Sequence, residues 1–306
     1  MSEAWPNLSD LLVAGNAAAP VGLVGAPLGM GSVTPGRCDL APDALRAVLR
    51  RIGRFDIDTM GELGCAVADH GDVAVAGLSI EEACSPIAAA VEASVRAHAL
   101  TLLIGGHNGV TRPGLRGMAA ALGVGLDRVG LITIDAHFDM RETAGGLSNG
   151  NPVRALIEDG LPGRNISQNG LAPFANTLTM ARDAEAAGIA VTTLADCHRR
   201  GMAAIVGEAL AGLAHFEAIM VDFDIDAIDR AQFPGAPGGR AGGLDSAMFF
   251  EAARLLCANP RVRLVDLTEW DPPLDPSDLS ALTAGRWVAE VLAGFEARYV
   301  NGREKS

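Results

Sequence analysis

Short runs of β-branched and apolar residues recur along this chain at residues 21–24, 100–104, 129–134, 189–194, 218–221 and 262–265. Between them, apolar residues fall at helical spacing over 42–51, 80–98, 110–122, 178–187, 202–213, 245–258 and 279–297. Strands that are apolar almost throughout, and that alternate with helices, cannot leave one face in water. They require a parallel sheet covered by helices on both sides. The expected fold class is therefore α/β, a three-layer α/β/α arrangement around a mostly parallel sheet. No internal repeat, charge block or low-complexity linker divides the chain, so one domain is expected over residues 1–306. Two Gly/Pro-rich segments, 139–170 and 229–243, read as long loops, which in compact domains usually carry function.

Charge narrows the partners. With 24 Lys+Arg against 37 Asp+Glu, the formal net charge is −13, which repels both a phosphate backbone and an anionic bilayer. Nucleic acid and membranes are excluded as expected partners, leaving a small-molecule substrate. No run approaches the length of a membrane span, and the first residues lack the basic and apolar regions of a signal peptide, so a cytoplasmic location is expected. The five cysteines are widely spaced without a Cys-x-x-Cys, and read as small hydrophobes.

In an open parallel sheet, ligands bind beyond the carboxyl ends of the strands. Four polar clusters follow predicted strands: Gly105-Gly106-His107-Asn108, Asp135-Ala136-His137-Phe138-Asp139, the run from Asp222 to Asp229, and Asp266-Leu267-Thr268-Glu269-Trp270-Asp271. So many carboxylates at one rim would repel one another unless cations neutralise them. On extended backbone, Asp135, His137 and Asp139 project to one side, as do Asp222, Asp224 and Asp226. Hard oxygens with one imidazole and no thiolate suit Mn²⁺ better than structural Zn²⁺, with other divalent ions left open. The paired glycines lack the Lys-Ser/Thr of a phosphate-binding loop.

These motifs in this order resemble the ureohydrolase family of arginase, agmatinase and formimidoylglutamase, over a span from Gly25-Ala26-Pro27 to Trp287. The resemblance implies an arginase-like fold, a homo-oligomer (trimer or hexamer), and a two-Mn²⁺ site whose bridging hydroxide attacks the central carbon of a guanidino or formimino group. It implies that Asp135 and Asp224 bridge both ions, that Asp139 completes one and orients the hydroxide, and that His137 and Asp226 complete the other. Glu269 matches the carboxylate that receives the cationic nitrogens of the substrate. The string Asp135 to Arg141 and the segment 169–177, with Ala175-Asn176-Thr177, are most similar to the formimidoylglutamase branch. In that setting Arg141 either pairs with a substrate carboxylate or is a solvated loop residue, and Arg154 and Arg112 are weaker candidates for the same role.

The chain also departs from the family pattern. Aligned without gaps, Asn108 stands where relatives have their first metal-binding histidine, giving one weak neutral ligand and one loosely held or absent ion. A one-residue shift would make His107 the ligand instead. Asn149 stands where arginases and agmatinases carry a histidine, which counts against arginase and is compatible with formimidoylglutamase, where it would contact substrate. The expected activity is hydrolysis of a linear amidine C–N bond. Three alternatives remain at this point: an agmatinase or guanidino-acid hydrolase, a one-metal amide hydrolase built on Asp135, His137, Asp224 and Asp226, and a binding relative with impaired catalysis.

Overall fold

The computed structural model describes residues 5–303, Asn16 excepted. Among these residues, nine strands form one sheet: β1 (Leu12–Ala14), β2 (Val21–Ala26), β3 (Val67–Asp72), β4 (Leu100–Gly105), β5 (Gly130–Ile134), β6 (Ile166–Leu171), β7 (Ala190–Thr193), β8 (Ile219–Asp224) and β9 (Val262–Thr268). Their spatial order is β1-β3-β2-β4-β9-β8-β5-β6-β7. Every neighbouring pair is parallel. A two-residue antiparallel pairing, Phe55–Asp56 with Gly61–Glu62, stands apart from it.

Among the described residues, nine α-helices cover the two faces: α1 (Ala41–Val48), α2 (Ile80–Ala97), α3 (Thr111–Leu122), α4 (Pro152–Glu158), α5 (Leu178–Ala187), α6 (Leu194–Arg200), α7 (Met202–Gly212), α8 (Ser246–Cys257) and α9 (Leu279–Arg303). Side chains alternate across the strands and feed two separate cores. Leu102 and Ile104 pack with Leu45 of α1, Ile205 of α7, Phe249 of α8 and Trp287 of α9. Leu103, between them, packs with Val91 of α2, Leu115 of α3 and Leu156 of α4. The result is the three-layer parallel α/β fold that the strand–helix alternation requires.

Three departures from the sequence expectations have physical causes. First, segment 139–170 is not one loop: it contains α4 and β6. β6 reads Ile-Ser-Gln-Asn-Gly-Leu, yet all six residues are buried. Its polar side chains donate to backbone carbonyls, Gln168 Nε2 to Phe138 O at 2.9 Å and Asn169 Nδ2 to Ser167 O at 3.2 Å. Hydrophobicity is therefore not its signature. Second, the edge strand β1 and its neighbour β3 were not expected, because no residue of β1 and only the first two of the six in β3 are fully buried. Third, β8 and β9 run beyond residues 221 and 265. The ladder continues through Asp222 opposite Asp266 and Asp224 opposite Thr268, so these carboxylates belong to strands and not to the loops after them.

Candidate metal centre and substrate pocket

The four strands that lead into the polar clusters are consecutive in the sheet, in the order β4-β9-β8-β5, so the clusters meet at one rim. Asp222 and Asp224 keep the alternation of extended backbone within β8, but beyond the strand ends the expected same-side rows give way to tight turns. Asp135 Oδ1 accepts from His137 N at 2.7 Å, and Asp224 Oδ1 accepts from Asp226 N at 2.9 Å. These aspartates close turns on their own chain, folding the residue two positions on back towards the strand end. Asp139 and Glu269 both adopt left-handed backbone, with φ of 53° and 62°. That conformation is uncommon for non-glycine residues and clusters at functional sites.

Asp135, His137 and Asp226 each offer a ligand atom, and these atoms all lie within 4.8 Å of one another. His137 Nδ1 is 3.5 Å from Asp135 Oδ1 and 3.1 Å from Asp226 Oδ2. Asp135 Oδ2 and Asp226 Oδ1 are buried with no hydrogen-bond partner. Burying an acceptor without a partner is costly, and a divalent cation is the group that would satisfy two such oxygens beside an imidazole. The donor set therefore fits a metal. Burial and mutual repulsion push the carboxyls upward: Asp135 to about 6, and Asp139 and Asp224 well above the usual carboxylate range. Burial works in the same direction on Asp226, but His137 overcomes it and holds that carboxylate low. Gly238 lies directly against this cluster, where a Cβ would sit 2.2 Å from Asp226 Oδ2. Only glycine lets the 229–243 loop approach so closely.

Asn108 and His107 go to different places. Asn108 donates its amide nitrogen to Asp139 Oδ2, and its oxygen accepts from Thr111 Oγ1 at 2.6 Å and Thr268 Oγ1 at 3.3 Å. His107 turns away: Nε2 lies 2.7 Å from Met30 O, and Nδ1 accepts from Gly109 N at 3.1 Å. Glu269 is buried, and its Oε1 accepts from Asn108 N at 2.7 Å and from Asn149 Nδ2 at 2.9 Å. Asn149 Oδ1 in turn accepts from Val33 N at 2.8 Å. Burial raises the Glu269 carboxyl to about 7 despite those two donors.

Beside these residues opens a cavity of about 310 Å³, lined by Asp139, Asp224, Asp226, His137 and Glu269 together with Arg141, Asn149, Asn176 and Arg240. Asn176 holds the wall in place, accepting from Phe138 N at 2.8 Å and donating to Ala136 O at 2.9 Å. Arg154 and Arg112 do not reach the cavity. Arg154 is bound to Met140 O and Asp183, and Arg112 pairs through two nitrogens with Asp159.

Comparison with known proteins gives a family for this geometry. The profile of the Arginase family matches residues 19–294. The chain belongs to the arginase family. A formimidoylglutamase of Halalkalibacterium halodurans is 29% identical over 279 residues, covering 89% of this chain and 86% of that protein. A human mitochondrial guanidino acid hydrolase is 31% identical over 278 residues, covering 89% and 77%. Among solved structures, Trypanosoma cruzi formiminoglutamase with Mn²⁺ superposes with a TM-score of 0.87 at 23% identity, covering 96% of this chain and 99% of that one.

Within this arginase-family chain, sequence reasoning missed three contributors. Thr111 and Asp266 lie behind Asn108, Thr111 Oγ1 standing 2.8 Å from Asp266 Oδ2. Arg240 sits inside a segment read only as a loop, where proximity in space and not in sequence brings it to the cavity. Asp266 was noted as part of a cluster, but only the strand register shows that it faces Asp222.

Proposed function

We propose that this protein hydrolyses the formimino C–N bond of formiminoglutamate, giving formamide and glutamate. As an arginase-family chain it is a metal-dependent hydrolase of linear amidine C–N bonds, and the formimino substrate is the finer reading. One observation carries it. Arg141 lines the same cavity as Glu269 and Asp139 and has no ion-pair partner among the described residues. Its stem lies over Gly150, where a Cβ would meet Arg141 Cδ at 2.6 Å. A substrate in the cavity therefore meets both carboxylates and an unpaired cation, the charge pattern that an amidinium joined to a carboxylate would match.

The residues that would hold Mn²⁺ are Asp135, His137, Asp139, Asp224 and Asp226, with Asn108 beside the weaker of two positions. Such ions, when bound, offset the clustered negative charge and supply Lewis acidity towards water and substrate. Glu269 receives the amidinium. Asn149 and the backbone of Asn108 fix its Oε1, leaving the other oxygen for the substrate in a charge-assisted hydrogen bond. Asp139, buried and fixed by Asn108, orients the attacking water and takes its proton, which passes to the departing nitrogen of glutamate. The water oxygen ends on the formimino carbon as formamide. Asn149 carries no ionisable group and serves in positioning. The reading includes a cytoplasmic homo-oligomer, trimer or hexamer.

The test is turnover of formiminoglutamate, guanidinobutyrate, arginine and agmatine by the purified chain in Mn²⁺, with metal content measured on the same sample. Formiminoglutamate should give the highest kcat/KM. The human relative makes a guanidino acid the competing substrate, and preference for guanidinobutyrate would replace this reading with that one.

A further inference from the structure

We infer that Arg240 is a second substrate-recognition arginine, and that together with Arg141 it makes the pocket selective for a substrate bearing two carboxylates. This rests on the formiminoglutamate reading and adds to it the residue that separates a dicarboxylate from a monocarboxylic amidine.

The loop that carries Arg240 is tied to itself so that the backbone is fixed while the guanidinium is left unused. Asp229 Oδ1 accepts from Ala231 N at 2.7 Å, and Asp229 Oδ2 from Gly242 N at 2.5 Å. Arg230 N donates to Arg240 O at 2.9 Å, and Arg230 Nη1 reaches Pro237 O and Gly239 O at 3.2 and 3.3 Å. Arg230 is thereby consumed in holding the loop. Two residues before Arg240, Gly238 lies against Asp226, which brings the loop to the edge of the carboxylate cluster. The Arg240 side chain lines the cavity and makes no hydrogen bond or ion pair with any described residue.

Charge accounting across the cavity points the same way. Its lining holds four carboxylates, on Asp139, Asp224, Asp226 and Glu269, which bound cations and an amidinium would neutralise. Arg141 and Arg240 remain in the wall with no protein anion to match them. An N-formimino derivative of glutamate has one amidinium and two carboxylates, and so supplies one partner for each arginine. Guanidinobutyrate supplies only one carboxylate and agmatine none, leaving one or both guanidiniums unmatched.

The experiment compares wild type, R240M and R141M in Mn²⁺ on formiminoglutamate and its two mono-amides, one neutralised at the α-carboxyl and one at the side-chain carboxyl. Each charge-assisted pair lost should raise KM about 10- to 100-fold with kcat held within a few-fold, since this is binding shared by ground and transition states. Wild type should prefer formiminoglutamate to both amides. R240M should lose its preference over one amide and keep it over the other, and R141M should show the converse. Glutamate, which retains both carboxylates, gives a readout without turnover: its Kd by calorimetry should weaken about 10-fold or more in R240M, and R240K should recover part of it. Both preferences kept in R240M, or both lost together, would overturn the assignment. No turnover of formiminoglutamate by wild type would overturn the proposed function and this inference with it, whereas turnover with an unaffected R240M would remove this inference alone.

Discussion

Asn108 donates its amide N–H to Asp139, and its amide oxygen accepts from the Thr111 hydroxyl. An amide in this orientation presents N–H and not a lone pair to the carboxylate that would hold one ion, so that ion should be loosely bound. Calorimetric titration of Mn²⁺ into metal-free protein should show one tight and one weak step. Asn108→His puts an imidazole where the amide nitrogen stands and should tighten the weak step by at least about 10-fold, the scale of effects from ligand supports alone. Superimposable titrations of the two proteins would show that residue 108 does not control the second ion.

Glu269 already has both donors to its Oε1 in place, from Asn108 N and Asn149 Nδ2. Glu269→Gln keeps an acceptor oxygen for them, so the fold should survive while the negative charge facing the amidinium is lost. The expected result is a fall of about 100-fold or more in kcat/KM, at unchanged metal content, from losing charge-assisted contacts worth about 1.5–3 kcal/mol each. Metal loss in parallel with activity would make Glu269 a ligand and not a substrate contact.

Much of the fold was legible because burial imposes a pattern. The strands with Leu102, Ile132, Val221 and Val265 are apolar on both faces, and only a covered parallel sheet explains that. β6 was illegible for the same reason reversed: Gln168 and Asn169 are buried by means of carbonyl partners that only the folded chain supplies. At the site, residue types in Asp135-Ala-His137 and Asp224-x-Asp226 announced the chemistry, but their geometry did not follow from extended backbone, because turns closed by Asp135 and Asp224 set it. The positive φ of Asp139 and Glu269 had no local signal. Arg240 was hidden because its part depends on a loop folding back across the rim, a relationship that no spacing within residues 229–243 encodes.

The metal-free protein should lose stability as pH rises from 5 to 8. Burial raises Asp135 to about 6 and Asp266 to about 7, against an ordinary carboxyl value of 3.8 for each. The folded state therefore holds protons that the unfolded chain releases above about pH 4. The stability this confers is complete below that point and is lost as pH rises through the folded values. Tm should fall by at least about 3 °C across this window in chelator-treated protein. Mn²⁺ should offset the part due to Asp135, because it replaces the proton there, and Mn²⁺ affinity should weaken below pH 6 as proton and metal compete. A flat or rising Tm in the metal-free protein would contradict these shifts.

Asp222 and Asp266 are opposite one another on β8 and β9, and both are fully buried. Asp266 Oδ1 accepts from Phe223 N at 3.2 Å, and its Oδ2 lies 2.8 Å from Thr111 Oγ1, whose one proton Asn108 Oδ1 also faces. Neither oxygen of Asp222 has a donor. Burial, then the neighbouring Asp266, push the Asp222 carboxyl well above the ordinary range, as two acids sharing one proton require. Asp222→Asn supplies a permanent N–H for Asp266 at nearly unchanged volume, so the pair no longer depends on a proton. The variant should therefore melt above wild type at pH 8, by about 2 °C or more, with the difference shrinking towards pH 5, where wild type regains its proton. The same change leaves Thr111 Oγ1 held between Asn108 Oδ1 and Asp266 Oδ2, so the orientation of Asn108 and the weak Mn²⁺ step should be retained. If Asp222→Asn melts below wild type at pH 8, the two carboxyls are not sharing a proton, and Asp222 is needed as an anion, which would make it part of the metal centre.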